Sequence, residues 1–445
     1  MRSAMVKYFI LLSLIVVVFE ANAQDTLTRI PSRLGTEHSV NDAKANETLE
    51  IGGEIRYQYF HYKNPGWGDE SEDRDGFVLT RALLHADLRI SKRLRAFLEL
   101  QSSLADGQVE TPSPVDRNPL EAHQVFAEWL VNQDNDHNLI LRLGRQELSY
   151  GSQRLISVRE GPNNRQSFDA AKLSFSKNNF KADGFFGFYV QAKPGIFDDK
   201  TSNGVKLWGE YIVINQVPVL NNLDIYYLGL SKSTAKFDDG SGAEVRHSVG
   251  TRIWKSTGDW LYDVEALYQF GSLGDSKISA WTTSANISYT FHQNAFKPQI
   301  GLKTELISGD RKHGDDRLNT FNPLFPKGAY FGLAALIGPV NLIDAHPYFS
   351  VALGKHLTWS EDYDMFYRMN QNDGIYAVNG KLIYTGQQKK SKKIGHQLGT
   401  ALEYSPNKFL YVRAELTWFN AGEFLKESGS GKDILMSGIT ATYKF

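Results

Sequence analysis

The chain has 445 residues, with Lys+Arg 49 against Asp+Glu 50, 12% aromatic residues and no cysteine. Balanced charge, with no basic helix or stacking platform, argues against a dedicated nucleic-acid binder, and the lack of cysteine excludes disulfides, thiolate zinc sites and c-type haem attachment. Such a length fits one large β-barrel as well as several smaller domains.

Arg2 and Lys7 precede an apolar run from Tyr8 to Phe19, and Ala21-Asn22-Ala23 supplies small residues after it. Residues 1–23 therefore read as a secretory signal peptide cleaved near Ala23. Residues 24–48 are polar, contain Pro31 and are expected to be a flexible segment. No later window approaches the roughly 18 consecutive apolar residues of a spanning helix.

From Leu49 the period changes. Ile51, Gly53, Ile55, Tyr57 and Tyr59 alternate with Gly52, Glu54, Arg56 and Gln58, the two-residue period of a strand with one apolar face. The same alternation recurs to the C-terminus in about 18 segments, an even number within the range of outer-membrane barrels. Long connections are expected at 61–76, 105–120, 149–166, 192–202, 233–242, 271–277, 309–340, 370–393 and 420–433, with tight turns between them such as Ser91-Lys92 and Lys177-Asn178. The fold class is thus all-β: a transmembrane antiparallel β-barrel over 49–445, with long extracellular loops and short periplasmic turns.

Energetics sets the phase of each strand. Arg or Lys at the lipid midplane costs about 2–4 kcal/mol, so the charged face points into the lumen. Val78, Ala82, Leu84, Ala86 and Leu88 then face lipid, against Arg81, His85, Asp87 and Arg89 inside. By the same rule the lumen cations are Arg56, Arg81, Arg89, Arg95, Arg142, Arg145, Lys172, Lys206, Arg246, Arg252, Lys303, Arg368 and Arg413. Inward acids, including Glu54, Asp87, Glu99, Glu128, Asp169, Asp183, Glu210, Glu265 and Glu305, are about as numerous, so cross-strand pairing is expected. Outward aromatics include Tyr57, Trp129, Tyr211, Tyr262, Trp281 and Tyr443, placed toward strand ends as in the interfacial girdles of barrels. The last strand ends on Phe445, resembling the C-terminal signal read by the barrel-insertion machinery.

Two segments stand out, one for its charge and one because it breaks the alternation. Residues 141–175, LRLGRQELSYGSQRLISVREGPNNRQSFDAAKLSF, carry Arg142, Arg145, Arg154, Arg159 and Arg165 in one strand-loop unit. Residues 320–332, TFNPLFPKGAYFG, crowd aromatic, Pro and Gly residues into what should be a solvated loop. Irregular backbone at membrane depth needs cover from protein or water, so Phe321, Leu324, Phe325, Tyr330 and Phe331 are expected to pack against the inner wall or neighbouring loops and narrow the mouth, the alternative being a small aromatic core that only stiffens the loop.

Residues 141–175 and 309–347, the latter GDRKHGDDRLNTFNPLFPKGAYFGLAALIGPVNLIDAHP, resemble the alginate-export family of outer-membrane channels. The resemblance implies an 18-stranded barrel in the Gram-negative outer membrane that passes an anionic uronate polysaccharide or oligosaccharide passively, through an electropositive constriction. Outer-membrane lipid, lipopolysaccharide and the anionic saccharide are the expected partners, with no cofactor and no nucleic acid, and the protein is expected to be a monomer. The alternative is a general or small-anion porin without polysaccharide specificity. An enzymatic barrel would need a nucleophile-base pair or acid dyad at one rim; the sequence presents no such catalytic set and no metal-ligand motif.

Overall fold

The computed structural model describes residues 48–133 and 137–445. The expected signal peptide and residues 24–47 of the flexible segment lie outside the described residues. The first strands are β1 (Thr48–Lys63), β2 (Phe77–Arg89), β3 (Leu94–Asp106), β4 (Asn118–Gln133), β5 (His137–Gln146), β6 (Phe168–Lys177) and β7 (Phe180–Gln191). They are followed by β8 (Lys200–Val217), β9 (Asn221–Phe237), β10 (Gly240–Lys255), β11 (Trp260–Leu273), β12 (Ser276–Thr290), β13 (Gln299–Ile307), a short β14 (Arg317–Leu318) and β15 (Leu342–Ala352). The rest are β16 (Leu357–Arg368), the short β17 (Ile375–Tyr376) and β18 (Leu382–Tyr384), β19 (Lys393–Tyr404), β20 (Leu410–Ala421) and β21 (Ile434–Lys444).

Without the three short strands, consecutive strands pair antiparallel into a closed 18-stranded barrel. Closure is made by β1 on β21, in register from Glu54↔Lys444 to Lys63↔Leu435. Closing the sheet pairs its last edge, the condition for any β-structure in hydrocarbon. Side-chain exposure follows the expected alternation: Ile51, Ile55 and Tyr57 are exposed on β1 while Arg56, Gln58 and Phe60 are buried. On β2, Leu84 and Leu88 face out while Arg81, Leu83 and Asp87 face in.

The connections depart from the expected regularity. The long loops foreseen at 233–242 and 271–277 are two-residue turns at 238–239 and 274–275, because β9–β10 and β11–β12 extend as long hairpins. Gly240 (φ 114) and Gly274 (φ 54) take backbone angles that L-residues adopt rarely, which is what lets these hairpins close tightly. On the opposite rim the connection at 291–298 is longer than either. The long loops at 147–167 and 308–341, here the arginine loop and the aromatic loop, instead turn back into the barrel.

The phase assignment fails at two cations, Lys206 and Arg145, and at two acids, Glu210 and Asp169, the last sharing the outward parity of β6 with the exposed Ala171 and Leu173. In β8, Leu207, Gly209 and Tyr211 are buried inside, and Lys206 and Glu210 face outward. Tyr211 is therefore a lumen residue, its hydroxyl donating to Asp224 Oδ2 at 2.7 Å. Lys206 holds its ammonium 5.8 Å from the Phe188 ring, a long cation lying along an apolar surface. Arg145 also faces outward: it stands opposite Val125, which is 46% exposed, and pairs with Asp169 at 2.9 Å. Arg142 and Arg145 are an odd number of residues apart, so one strand cannot send both into the lumen.

Leu84 is 48% exposed at the middle of β2. Leu84→Arg is expected to lower the unfolding free energy in lipid vesicles by about 2–4 kcal/mol, read from denaturant titration.

Candidate channel constriction

The aromatic loop begins where β13 ends. Ser308 N–H donates to Trp281 O at 2.9 Å, Ser308 Oγ donates to Asn319 O, and β14 adds in parallel beside β12. The loop's return is pinned by Asn341, whose amide donates to the carbonyls of Asn370, Asp373 and Gly374. Between these anchors Phe321, Leu324, Phe325, Tyr330 and Phe331 are all at most 6% exposed. They share one apolar cluster with Ile156 of the arginine loop and with wall residues Phe168, Leu207, Tyr226 and Leu267. Removing each such side chain from water favours the packed state by about 1.5–3 kcal/mol.

The two loops hold each other through backbone. Ile156 and Phe325 form a parallel bridge, with Phe325 N–H on Leu155 O at 2.8 Å and Ser157 N–H on Phe325 O at 3.0 Å. Gly328 lies so near Pro162 that a Cβ there would be 2.0 Å from the proline Cδ, which excludes any larger residue without displacement. Asn163 ties the arginine loop to the wall by donating to the carbonyls of Thr80, Leu104 and Asp116.

Ion pairs complete the junction. Arg154 reaches Glu305 at 2.6 Å and Glu265 at 3.3 Å, with the Tyr330 hydroxyl 3.2 Å away. Glu160 accepts from Arg81 and stands beside Arg56 and Arg165. Burial pushes the Glu160 carboxyl up, but Arg81, Arg165 and Arg56 outweigh it and leave it lowered to about 2. Lys303 pairs with Glu305 at 3.1 Å and covers the Tyr330 and Phe331 rings at 4.9 and 4.6 Å.

The other expected lumen cations also face inward, and most are neutralised along the wall. Arg95 bonds Asp87 and Glu128, Arg142 bonds Glu128, Lys172 lies 3.7 Å from Asp183, and Arg413 bridges Glu403 and Glu415. Arg246 is fully buried, on Glu244 and on the Thr320 carbonyl of the aromatic loop. Arg252 is clamped by Asp224 and Asp263. Arg368 spends its donors on the Gln371, Asp373, Lys389 and Ser391 carbonyls, organising the 369–392 loop rather than facing a pore. Arg89 is inward, opposite Arg95, with no ion pair among the described residues.

Two groups at the junction stay without an ion pair among the described residues: Arg159, at a left-handed φ of 59, and Lys327. Lys327 donates its N–H to Gln153 O and lies 5.4 Å over Tyr330. Burial, together with the neighbouring charges of Lys303 and Arg154, lowers its ammonium to about 7. Lys327 was not among the expected lumen cations because it belongs to no strand and so has no phase to read; its place inside the aromatic run was the available signal.

A closed barrel with an apolar outer face and two loops packed against its inner wall is the architecture of an outer-membrane channel. The sequence profile described as "Alginate export" matches residues 47–433, and the chain belongs to that family. Among solved structures, the fold is similar to that of a BenF-like porin from Pseudomonas fluorescens Pf-5 (TM-score 0.59, 11% identity, 89% of this chain and 98% of that one). It is similar to Pseudomonas aeruginosa OccK2 (OpdF) in complex with glucuronate (TM-score 0.58, 13% identity, 89% and 98%). It also resembles Pseudomonas aeruginosa OpdK with vanillate (TM-score 0.58, 10% identity, 89% and 98%). No curated protein matches the sequence.

Arg154→Met leaves Glu305 and Glu265 buried without their guanidinium, a loss of about 3–5 kcal/mol for a broken buried pair. The aromatic loop is expected to loosen, seen as raised single-channel conductance and faster protease cleavage within 308–341. Pairing the change with Glu305→Gln should restore part of the loss.

Proposed function

We propose that the protein is a passive outer-membrane channel for anionic, uronate-type saccharides, with the junction of the arginine and aromatic loops as its selective constriction. The observation that carries this reading is a pair of cations at that junction, Arg159 and Lys327, left without an ion pair among the described residues. Glu160, Glu265 and Glu305 are engaged by Arg81, Arg154, Arg165 and Lys303, whereas Arg159 and Lys327 have no ion pair among the described residues. Where a solute sheds water in a narrow passage, a cation and fixed donors replace that water for a carboxylate and repel cations. Membership of the alginate-export family supports a uronate solute, and one structural neighbour holds glucuronate. The packing of Phe321, Phe325, Tyr330 and Phe331 inside the barrel favours short saccharides, since a long chain has to displace the loop. The vanillate in another neighbour gives weight to a second reading, a channel for small organic anions in general.

Planar-bilayer recording separates the two. Anion-preferring conductance blocked by uronate oligomers and indifferent to neutral maltodextrins is the expected result; equal response to both belongs to a general porin.

The constriction should also respond to pH. Lys327 faces Lys303, Arg154, Glu305 and Asp263, and its ammonium is lowered to about 7, so it is charged below that pH and neutral above it. Anion preference is expected to fall as pH rises from about 6 to about 8, and Lys327→Met should flatten that dependence.

A further inference from the structure

β15 and β16 carry a second constellation on the lumen wall. Asp344 and His346 alternate on one face of β15, and the antiparallel register of β16 brings Asp364 alongside. Their ligating atoms all lie within 4.8 Å of one another. Asp344 is 2% exposed, Asp364 0%. Both Asp344 oxygens, Asp364 Oδ1 and His346 Nδ1 are buried without a hydrogen-bond partner. His346 Nδ1 and Asp364 Oδ1 are 2.6 Å apart yet are not aligned as donor and acceptor.

A carboxylate withdrawn from water needs several kcal/mol of compensation from donors or counter-charge, and the nearby cations are committed elsewhere. Lys303, opposite His346 in register, pairs with Glu305, as does Arg154. Asp362 adds a further carboxylate 3.8 Å from His346 Nε2. Two carboxylates and a neutral imidazole sum to the charge that balances a dication.

We propose that Asp344, His346 and Asp364 bind a divalent first-row transition-metal ion in the lumen wall. The mixed nitrogen and oxygen donor set selects this class over calcium and magnesium, which take oxygen ligands. Gln397 supplies the outer support, donating to Asp364 Oδ2 at 3.0 Å and to the Phe331 carbonyl at 2.9 Å. Such partners orient metal-ligating carboxylates, and here the partner also joins the site to the aromatic loop. The site is independent of the solute proposed above.

The test is calorimetric titration of Zn2+ into the tag-free, chelator-stripped barrel in detergent. Wild type is expected to take up Zn2+ at a saturable site and to gain thermal stability on binding. Asp344→Asn, Asp364→Asn and His346→Ala, each shown to be folded by heat-modifiable gel mobility, should weaken that binding at least tenfold. His123→Ala, in the separate Glu99, His123 and Glu147 group, should leave it unchanged. Asp344→Asn removes a buried charge and keeps the side-chain shape, so it retains the fold. No saturable uptake by wild type, or uptake unaltered in all three variants, overturns the proposal in favour of carboxyls neutralised by protons. Equal affinity for Ca2+ overturns the transition-metal assignment.

Discussion

In hydrocarbon an unpaired backbone N–H or C=O costs several kcal/mol, and the ladder between β1 and β21 pairs the last exposed edge of the sheet. Everything else depends on that closure. Once the sheet is a cylinder, the two-residue period divides every strand into a face toward lipid and a face toward the interior. The exposed row of Ile51, Ile55 and Tyr57 and the buried row of Arg56, Gln58 and Phe60 are two consequences of one constraint.

The interior is then a confined volume that the chain fills with its own loops. The arginine and aromatic loops meet through the Ile156–Phe325 bridge and bury their rings against Phe168, Leu207, Tyr226 and Leu267. Their charged residues turn toward the wall, where Arg154 finds Glu305 and Arg56 and Arg81 find Glu160. Wall and loops are thus complementary in both polarity and charge. Arg159 and Lys327, at that junction, have no ion pair among the described residues.

This packing also explains why a rule that works for most of the barrel fails in β8. Sending charge inward assumes a wet lumen. Beside the loops the lumen is apolar, so Leu207 and Tyr211 turn in, where Tyr211 stacks on Tyr150 and Tyr226, and Lys206 and Glu210 turn out. Arg145 fails for a simpler reason, since strand parity excludes it once Arg142 faces the lumen. The hairpins at 238–239 and 274–275 were hidden by polar residues that suit a loop and an extended exposed strand equally well. The Asp344, His346 and Asp364 group could not be seen because Asp364 reaches the other two through strand register, not through sequence spacing.

Alternation, the frequency of turns and the one segment that breaks the period were enough, from the sequence alone, to determine the barrel, its strand number, the lipid-facing phase of most strands and the unusual character of residues 320–332. These features are local: each is set by a residue's immediate neighbours and by the cost of placing charge in lipid. Which cation meets which acid, that the arginine loop joins the aromatic loop against the wall, and which groups remain unpaired were decided only by the tertiary structure. Those outcomes depend on strand register and on residues more than a hundred positions apart, such as Arg154 and Glu305, competing for the same enclosed space.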